Sequence, residues 1–291
     1  MKTTIQNDVL SVTVDSFGAG LTSIFSDGIE YLWQGEPAYW FGQAPIMFPI
    51  CGCLRDGKAT LENGKTVELA RHGFARRNEF TLLEATNQDV TYELVSNENT
   101  LSAYPFPFRL KMHYELDGNK VLIHHIVTNT GTETMPFFIG GHPGFNCPMR
   151  KGEKFEDYVV EMEVPEYANC PTISESGLLL DEERVLRFDN QSVLPLEHKL
   201  FYQDAICLEH PKSNYAFLRH KDSEHGIRVD FKGFDFFQIW SSANDGPFVA
   251  LEPWTGTATT SSEDDIFEHK RGVRKLAPGE TETITYTISV I

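Results

Sequence analysis

The stretch Phe108-Arg109-Leu110-Lys111-Met112-His113-Tyr114-Glu115-Leu116-Asp117-Gly118-Asn119-Lys120-Val121-Leu122-Ile123-His124-His125-Ile126-Val127 decides the fold class. From Phe108 to Leu116 apolar and polar residues alternate strictly, the period of a half-buried strand and not of a helix. Asp117-Gly118-Asn119 then supplies a turn, and a second β-type run follows, so the stretch predicts an antiparallel hairpin. The same grammar extends in both directions. Short alternating runs broken by turn residues, among them Asp27-Gly28, fill Thr3 to Trp33, and Phe80–Leu83 and Val90–Val95 precede the hairpin. An Asn63-Gly64 pair marks a further hairpin turn. Downstream, Ala205–Leu208, Tyr215–Leu218, Ile227–Phe231, Phe236–Trp240, Phe248–Trp254 and Thr281–Ile291 read as strands. Many short strands with almost no helical periodicity predict an all-β sandwich of large antiparallel sheets. No composition break, linker or repeat divides the chain, so residues 1–291 are expected to form one domain. The segment Arg150–His198 is acidic and irregular; a short helical turn is expected near Leu178–Glu183, and no chemistry is assigned to it.

Composition narrows the function classes. Against 25 Lys and Arg stand 42 Asp and Glu, a net charge of -17, which argues against nucleic-acid or anionic-membrane partners because both require a basic face. An anionic substrate would need a local basic cluster, and Arg71-His72-Gly73-Phe74-Ala75-Arg76-Arg77 is such a run. The five cysteines are odd in number and thinly spread, as expected of reduced thiols in cytoplasm. The start of the chain lacks an apolar leader, and no run of about 18 apolar residues occurs, so a soluble, intracellular protein is expected.

The chemistry centres on Phe137-Phe138-Ile139-Gly140-Gly141-His142-Pro143-Gly144-Phe145-Asn146-Cys147-Pro148. Pro143 drives the residue before it out of the helical region, so His142 is expected to be extended at a strand end. Gly140, Gly141 and Gly144 are expected to leave backbone that a ligand can approach. An imidazole, with a reference pKa of about 6.5, suits proton transfer near neutrality. The plainer alternative is a turn histidine that satisfies a buried carbonyl. Glu252 ends the buried-type run Phe248–Leu251 and precedes Pro253-Trp254, a position where a carboxylate is either a base or half of a structural ion pair. At its reference pKa of about 4.3 it would be ionised at pH 7. His72 could order an oxygen ligand or lie in a surface basic turn, and Asp204 has the sequence position of a turn cap.

A metal site is not expected. Cys51-Gly52-Cys53 lacks the second pair of a zinc cage, and the adjacent His124 and His125 must point to opposite faces of a strand. Nucleotide-binding glycine motifs and a hydrolase elbow are absent, so no cofactor is implied.

His72 in His-Gly-Phe-Ala-Arg, His142 in Gly-Gly-His-Pro-Gly-Phe-Asn and Glu252 in Leu-Glu-Pro-Trp, in that order, resemble the aldose 1-epimerase (galactose mutarotase-like) family, and within it the LacX-type branch. The likeness runs from Asp15-Ser16-Phe17-Gly18-Ala19 through Ala44–Pro49 to Lys275–Gly279. The resemblance implies a β-supersandwich with a sugar held in a cleft across one sheet. It implies Glu252 as the base that takes the anomeric hydroxyl proton and His142 as the acid that protonates the ring oxygen, without a cofactor. It further implies that His72 bonds near the ring oxygen and that Asp204 and Arg76 grip hydroxyls. One departure stands out: where the family pattern leads to Gly-Arg-Leu, this chain has Gly52-Cys53-Leu54, and Arg55, two positions on, is the expected substitute on the same strand face. The expected substrate is a hexose, the alternatives being a hexose 6-phosphate or a sugar-binding protein without turnover, in a monomer or homodimer.

Overall fold

A computed structural model describes residues 1–291. The hairpin Phe108–Asp117 and Lys120–Asn129 forms as its alternation requires, with Asp117 opposite Lys120 and Phe108 opposite Asn129. Phe108, Leu110, Met112, Tyr114 and Leu116 turn inward and are buried. Each such side chain contributes about 1.5–3 kcal/mol through burial.

This hairpin lies within a nine-stranded antiparallel sheet. Its order from one edge is Leu179–Pro195, Tyr158–Ile173, Tyr215–His220, Gly226–Asp230, Thr281–Val290, Lys120–Asn129, Phe108–Asp117, Asp89–Val95 and Thr81–Ala85. A second sheet runs Ile206–Glu209, Phe236–Trp240, Phe248–Trp254, Gly140–Gly141 and Ile46–Met47, with Gly144–Asn146 also paired to Phe248–Trp254. The first strands, Lys2–Gln6, Ser11–Asp15, Leu21–Ser26 and Ile29–Glu30, make the expected meander. One apolar cluster joins the sheets and runs from Ile5 to Val290. The sole α-helix, Glu98–Ala103, is short and capped by Asn97, and no helix is long and apolar enough to cross a membrane. All five cysteines are buried and unpaired. The fold is the all-β architecture of large antiparallel sheets that the alternation predicts.

The acidic segment departs from expectation. In place of an irregular stretch with a helical turn, Tyr158–Ile173 and Leu179–Pro195 form a long antiparallel ribbon. Four register shifts interrupt its pairing between Glu161 and Thr172, and most of its second strand is only partly buried. Bulges reset the two-residue period, so alternation breaks although the backbone remains extended. The ribbon tip then folds over the second sheet, where Leu179 pairs with Thr260.

Candidate active site

His142 lies directly between the short strands Gly140–Gly141 and Gly144–Asn146, its amide bonded to the Pro45 carbonyl. The glycines around it serve the protein's own groups. A Cβ on Gly141 would sit 2.6 Å from the Tyr286 hydroxyl, and one on Gly144 would sit 2.7 Å from the Trp40 ring. The close approach expected of a ligand is therefore taken by side chains that pack the histidine strand. Trp40 stacks on the His142 imidazole with centroids 4.8 Å apart, while Trp240 meets it edge-on at 5.4 Å. The ring is held in one orientation by two indoles.

Glu252 comes from the Phe248–Trp254 strand, directly opposite Gln238, and is buried. Its Oε2 lies 3.3 Å from His142 Nε2 and accepts a 3.1 Å hydrogen bond from Trp254 Nε1. Burial governs the protonation of both partners. It raises the Glu252 carboxyl well above the usual range, against the bond from Trp254, and the nearby Asp204 charge adds to the rise. Burial also lowers His142 to about 3, and the Arg76 and Arg71 charges push in the same direction. The ionised Glu252 expected from its reference value thus gives way, in the water-poor cleft, to a pair that holds one proton between carboxyl and imidazole.

His72 stands edge-on to His142 and to Trp254, each at 5.5 Å. Gly52 clamps it from both sides: the Gly52 amide donates to His72 Nδ1 at 3.1 Å, and the His72 amide donates to the Gly52 carbonyl at 2.6 Å. Nδ1 is therefore an acceptor, and the proton of the neutral ring sits on Nε2. Burial, then electrostatic coupling to the His142 ring and the Arg76 and Arg71 charges, hold its pKa well below the ordinary value, which keeps the ring neutral. His72 adopts a left-handed backbone with φ of 65°, and Asp204 one with φ of 101°. Such conformations cost on the order of 1–3 kcal/mol each and are retained where the surroundings over-determine them.

These side chains converge on a cavity of about 210 Å³ whose lining includes His72, Arg76, His142, Asp204 and Glu252. Five of the six residues singled out in the sequence are therefore together. Arg55 is not. It opens a tight turn, Arg55–Gly57, well past the end of the strand Ile46–Met47, so no strand alternation aims Arg55 inward. Its Nε bonds both Asp265 carboxylate oxygens at 3.0 Å, and Nη2 bonds the Thr260 carbonyl at 2.9 Å. The guanidinium that does reach the cavity over Cys53 is that of Arg71, paired at 3.8 Å with Asp204. The Cys53 thiol and the Arg71 guanidinium share one niche, since a Cβ on Gly177 would meet Arg71 Nη2 at 2.1 Å and Cys53 Sγ at 3.0 Å. Arg76 bonds the Arg71 carbonyl through Nη2, while its buried Nε has no partner. Burial and the charges of Arg77 and Arg71 lower it to about 10.

Two kinds of lining residue escaped the sequence reading, whereas Arg71 was read there as part of the basic run. Trp240 and Gln238 enter through strand register, and Ile173, Gly177 and Leu179 enter from the tip of the acidic ribbon, to which no chemistry had been assigned. Only Arg71 carried a usable signal, its place beside His72 in a basic run.

The sequence model of the aldose 1-epimerase family matches residues 1–289. Protein LacX of Lactococcus lactis subsp. lactis, in its plasmid and chromosomal forms, is 43% identical over 294 residues, covering 99% of this chain and 98% of its own length. Among solved structures, a galactose mutarotase related enzyme from Lactobacillus acidophilus superposes with a TM-score of 0.94 at 33% identity, covering 100% of this chain and 97% of that one. A galactose mutarotase-like protein from Lactobacillus casei superposes with a TM-score of 0.89 at 27% identity, with full coverage of both chains. With its sheets, its clustered histidines and its buried carboxyl described, the chain belongs to the aldose 1-epimerase family.

Proposed function

We propose that this protein is an aldose 1-epimerase that interconverts the α and β anomers of a free hexose, with Glu252 as base and His142 as acid. The observation that carries this reading is the 3.3 Å contact between Glu252 Oε2 and His142 Nε2 on one wall of the cavity. The anomeric hydroxyl and the ring oxygen are bonded to the same carbon. A base for one and an acid for the other must therefore sit side by side, as these two do.

The proton count also closes. Ring opening starts from the form in which the pair's single proton has moved from Glu252 to His142: the ionised Glu252 takes the proton of the anomeric hydroxyl while protonated His142 delivers one to the ring oxygen; the C1 to ring-oxygen bond breaks and C1 becomes an aldehyde. The pair has then only shifted its single proton from imidazole to carboxyl, the arrangement that burial favours in the sugar-free cleft. Rotation about C1–C2 presents the other carbonyl face, and the same two transfers in reverse close the ring. The chain's own residues thus supply both transfers. His72, with its proton on Nε2, offers a donor beside the ring oxygen. Arg71, Asp204 and Arg76 grip the remaining hydroxyls, and paired polar groups of this kind discriminate sharply among hydroxyl patterns.

A second reading, a hexose 6-phosphate substrate, draws on the buried, unpartnered Arg76 Nε with Arg71 nearby. Polarimetric relaxation of freshly dissolved α-D-glucose and α-D-galactose, with glucose 6-phosphate alongside, tests both. Acceleration that Glu252→Gln abolishes is the expected result, and the ranking of the three sugars separates the readings. Sugar binding without any acceleration would overturn both and leave a binding protein.

A further inference from the structure

The outer face of the nine-stranded sheet carries four side chains in one row, Thr91, His113, His124 and Thr285, each directly opposite the next on neighbouring strands. Thr91 Oγ1 lies 2.8 Å from His113 Nδ1, and Thr285 Oγ1 lies 2.8 Å from His124 Nδ1. The two threonines thus fix both imidazoles from the flanks and turn both Nε2 atoms toward a single carboxylate. That carboxylate is Glu115, two residues beyond His113 on the same face, 4.0 Å from His113 Nε2 and 3.7 Å from His124 Nε2. The rings stack at 5.2 Å, and Glu115 contacts no other charged group.

We propose that His113 Nε2, His124 Nε2 and the Glu115 carboxylate form a binding site for one divalent transition-metal ion of the zinc class, on the outside of the sheet. Three observations converge. The donor atoms all lie within 4.8 Å of one another. Zinc–ligand bonds of 2.0–2.1 Å place tetrahedral ligands roughly 3.3 Å apart, so closure asks the half-exposed Glu115 to move by less than about 1 Å and the two imidazole nitrogens, within 4.8 Å of each other, to draw together as well. Distances of 3.7 and 4.0 Å are too long for hydrogen bonds, so the cluster is not a satisfied polar network.

The donor set is also chemically apt. Two imidazoles and a carboxylate suit borderline ions and leave a fourth position to water. The threonine hydroxyls can accept from Nδ1–H, and in that tautomer both Nε2 lone pairs are free, the outer-sphere support that ligating histidines require. His125, the chain neighbour of His124, points into the core and stacks on Tyr286, so the expectation about adjacent histidines holds for that pair. The second imidazole comes instead from across the hairpin, where spacing along the chain does not reveal it.

The test is calorimetric titration of EDTA-stripped full-length protein with ZnCl2 at pH 7.5, repeated at pH 5.5. Wild type should bind one ion, and more weakly at pH 5.5 because protons compete for the imidazoles. Changing an outer-sphere partner typically weakens metal binding 10–100-fold, so Thr285→Val should lose about tenfold and His113→Gln or Glu115→Gln about a hundredfold or more. Circular dichroism checks that each variant is folded, and mutarotation rates should be unchanged in all three because the site lies outside the cleft. Absence of saturable binding in wild type, or binding that His113→Gln and Glu115→Gln leave intact, would overturn the proposal whatever the outcome of the sugar assays.

Discussion

Two groupings of imidazole and carboxylate occupy opposite environments in this molecule. In the cleft, His142 and Glu252 meet at 3.3 Å with side chains 9% and 2% exposed; on the outer sheet, His124 and Glu115 stand at 3.7 Å with side chains 19% and 51% exposed. The residue types are the same, and the chemistry differs because water differs. Without solvent neither cleft group is easily charged, so the proton becomes mobile between them and a sugar oxygen can enter the exchange. On the surface, water solvates the carboxylate and the imidazoles remain free to act as donors to an ion. On the two proposals made above, burial makes the first grouping a proton device and access makes the second a ligand set.

The largest expected effect separates the two directly. Glu252→Gln keeps the shape and the bond from Trp254 but removes the base, so mutarotation should fall by about 10²–10⁴-fold, the usual contribution of a well-placed general base. Glu115→Gln, the same chemical change on the outer face, should leave the rate within about twofold, as expected of a surface change remote from the cleft. Equal activity of Glu252→Gln and wild type by polarimetry would break the comparison at its root.

A smaller effect is expected at Arg71, which has no counterpart around the outer cluster. Its guanidinium lies over Cys53, pairs with Asp204 and helps hold His142 low. Hydrogen bonds to charged groups contribute about 1.5–3 kcal/mol, so Arg71→Met should raise KM by about ten- to a hundredfold if Arg71 grips the sugar. The same change removes a positive charge near His142. The limb of the pH–rate profile assigned to that imidazole should therefore move to higher pH. A KM change without any movement of the profile would confine Arg71 to sugar binding; no change in either would exclude it from the site.

How much of this was legible in the sequence follows from the kind of signal each feature leaves. Regular alternation exposed the Phe108–Asn129 hairpin and the strands around it, because a period of two survives wherever one face is buried. The acidic ribbon Tyr158–Pro195 was illegible since its bulges reset that period. His72, His142 and Glu252 were visible as local motifs flanked by glycine, proline and tryptophan. Arg55 was misplaced because the strand that the reading assumed to continue ends at Met47, so Cys53 and Arg55 share no strand face. Trp240, Gln238 and the His113–His124 pair depend on cross-strand register, which spacing along one strand does not encode.

The smallest effect concerns stability and has a definite sign. The folded-state pKa of Glu252 is raised above its unfolded value, so between the two values the folded chain binds more protons than the unfolded one, and stability falls as pH rises through that window. Below about pH 4 both states carry the Glu252 proton, and this carboxyl no longer contributes to the pH dependence. Glu252→Gln removes the titrating group but keeps its volume, so the variant should match wild type near pH 4 and exceed it at pH 7, by on the order of 1 kcal/mol, typical when a strained functional group is relieved. Urea unfolding at the two pH values measures the difference. A stability difference between Glu252→Gln and wild type that stayed the same at both pH values would remove the physical basis for a dry pair in the cleft, since burial is the largest cause of the raised Glu252 pKa.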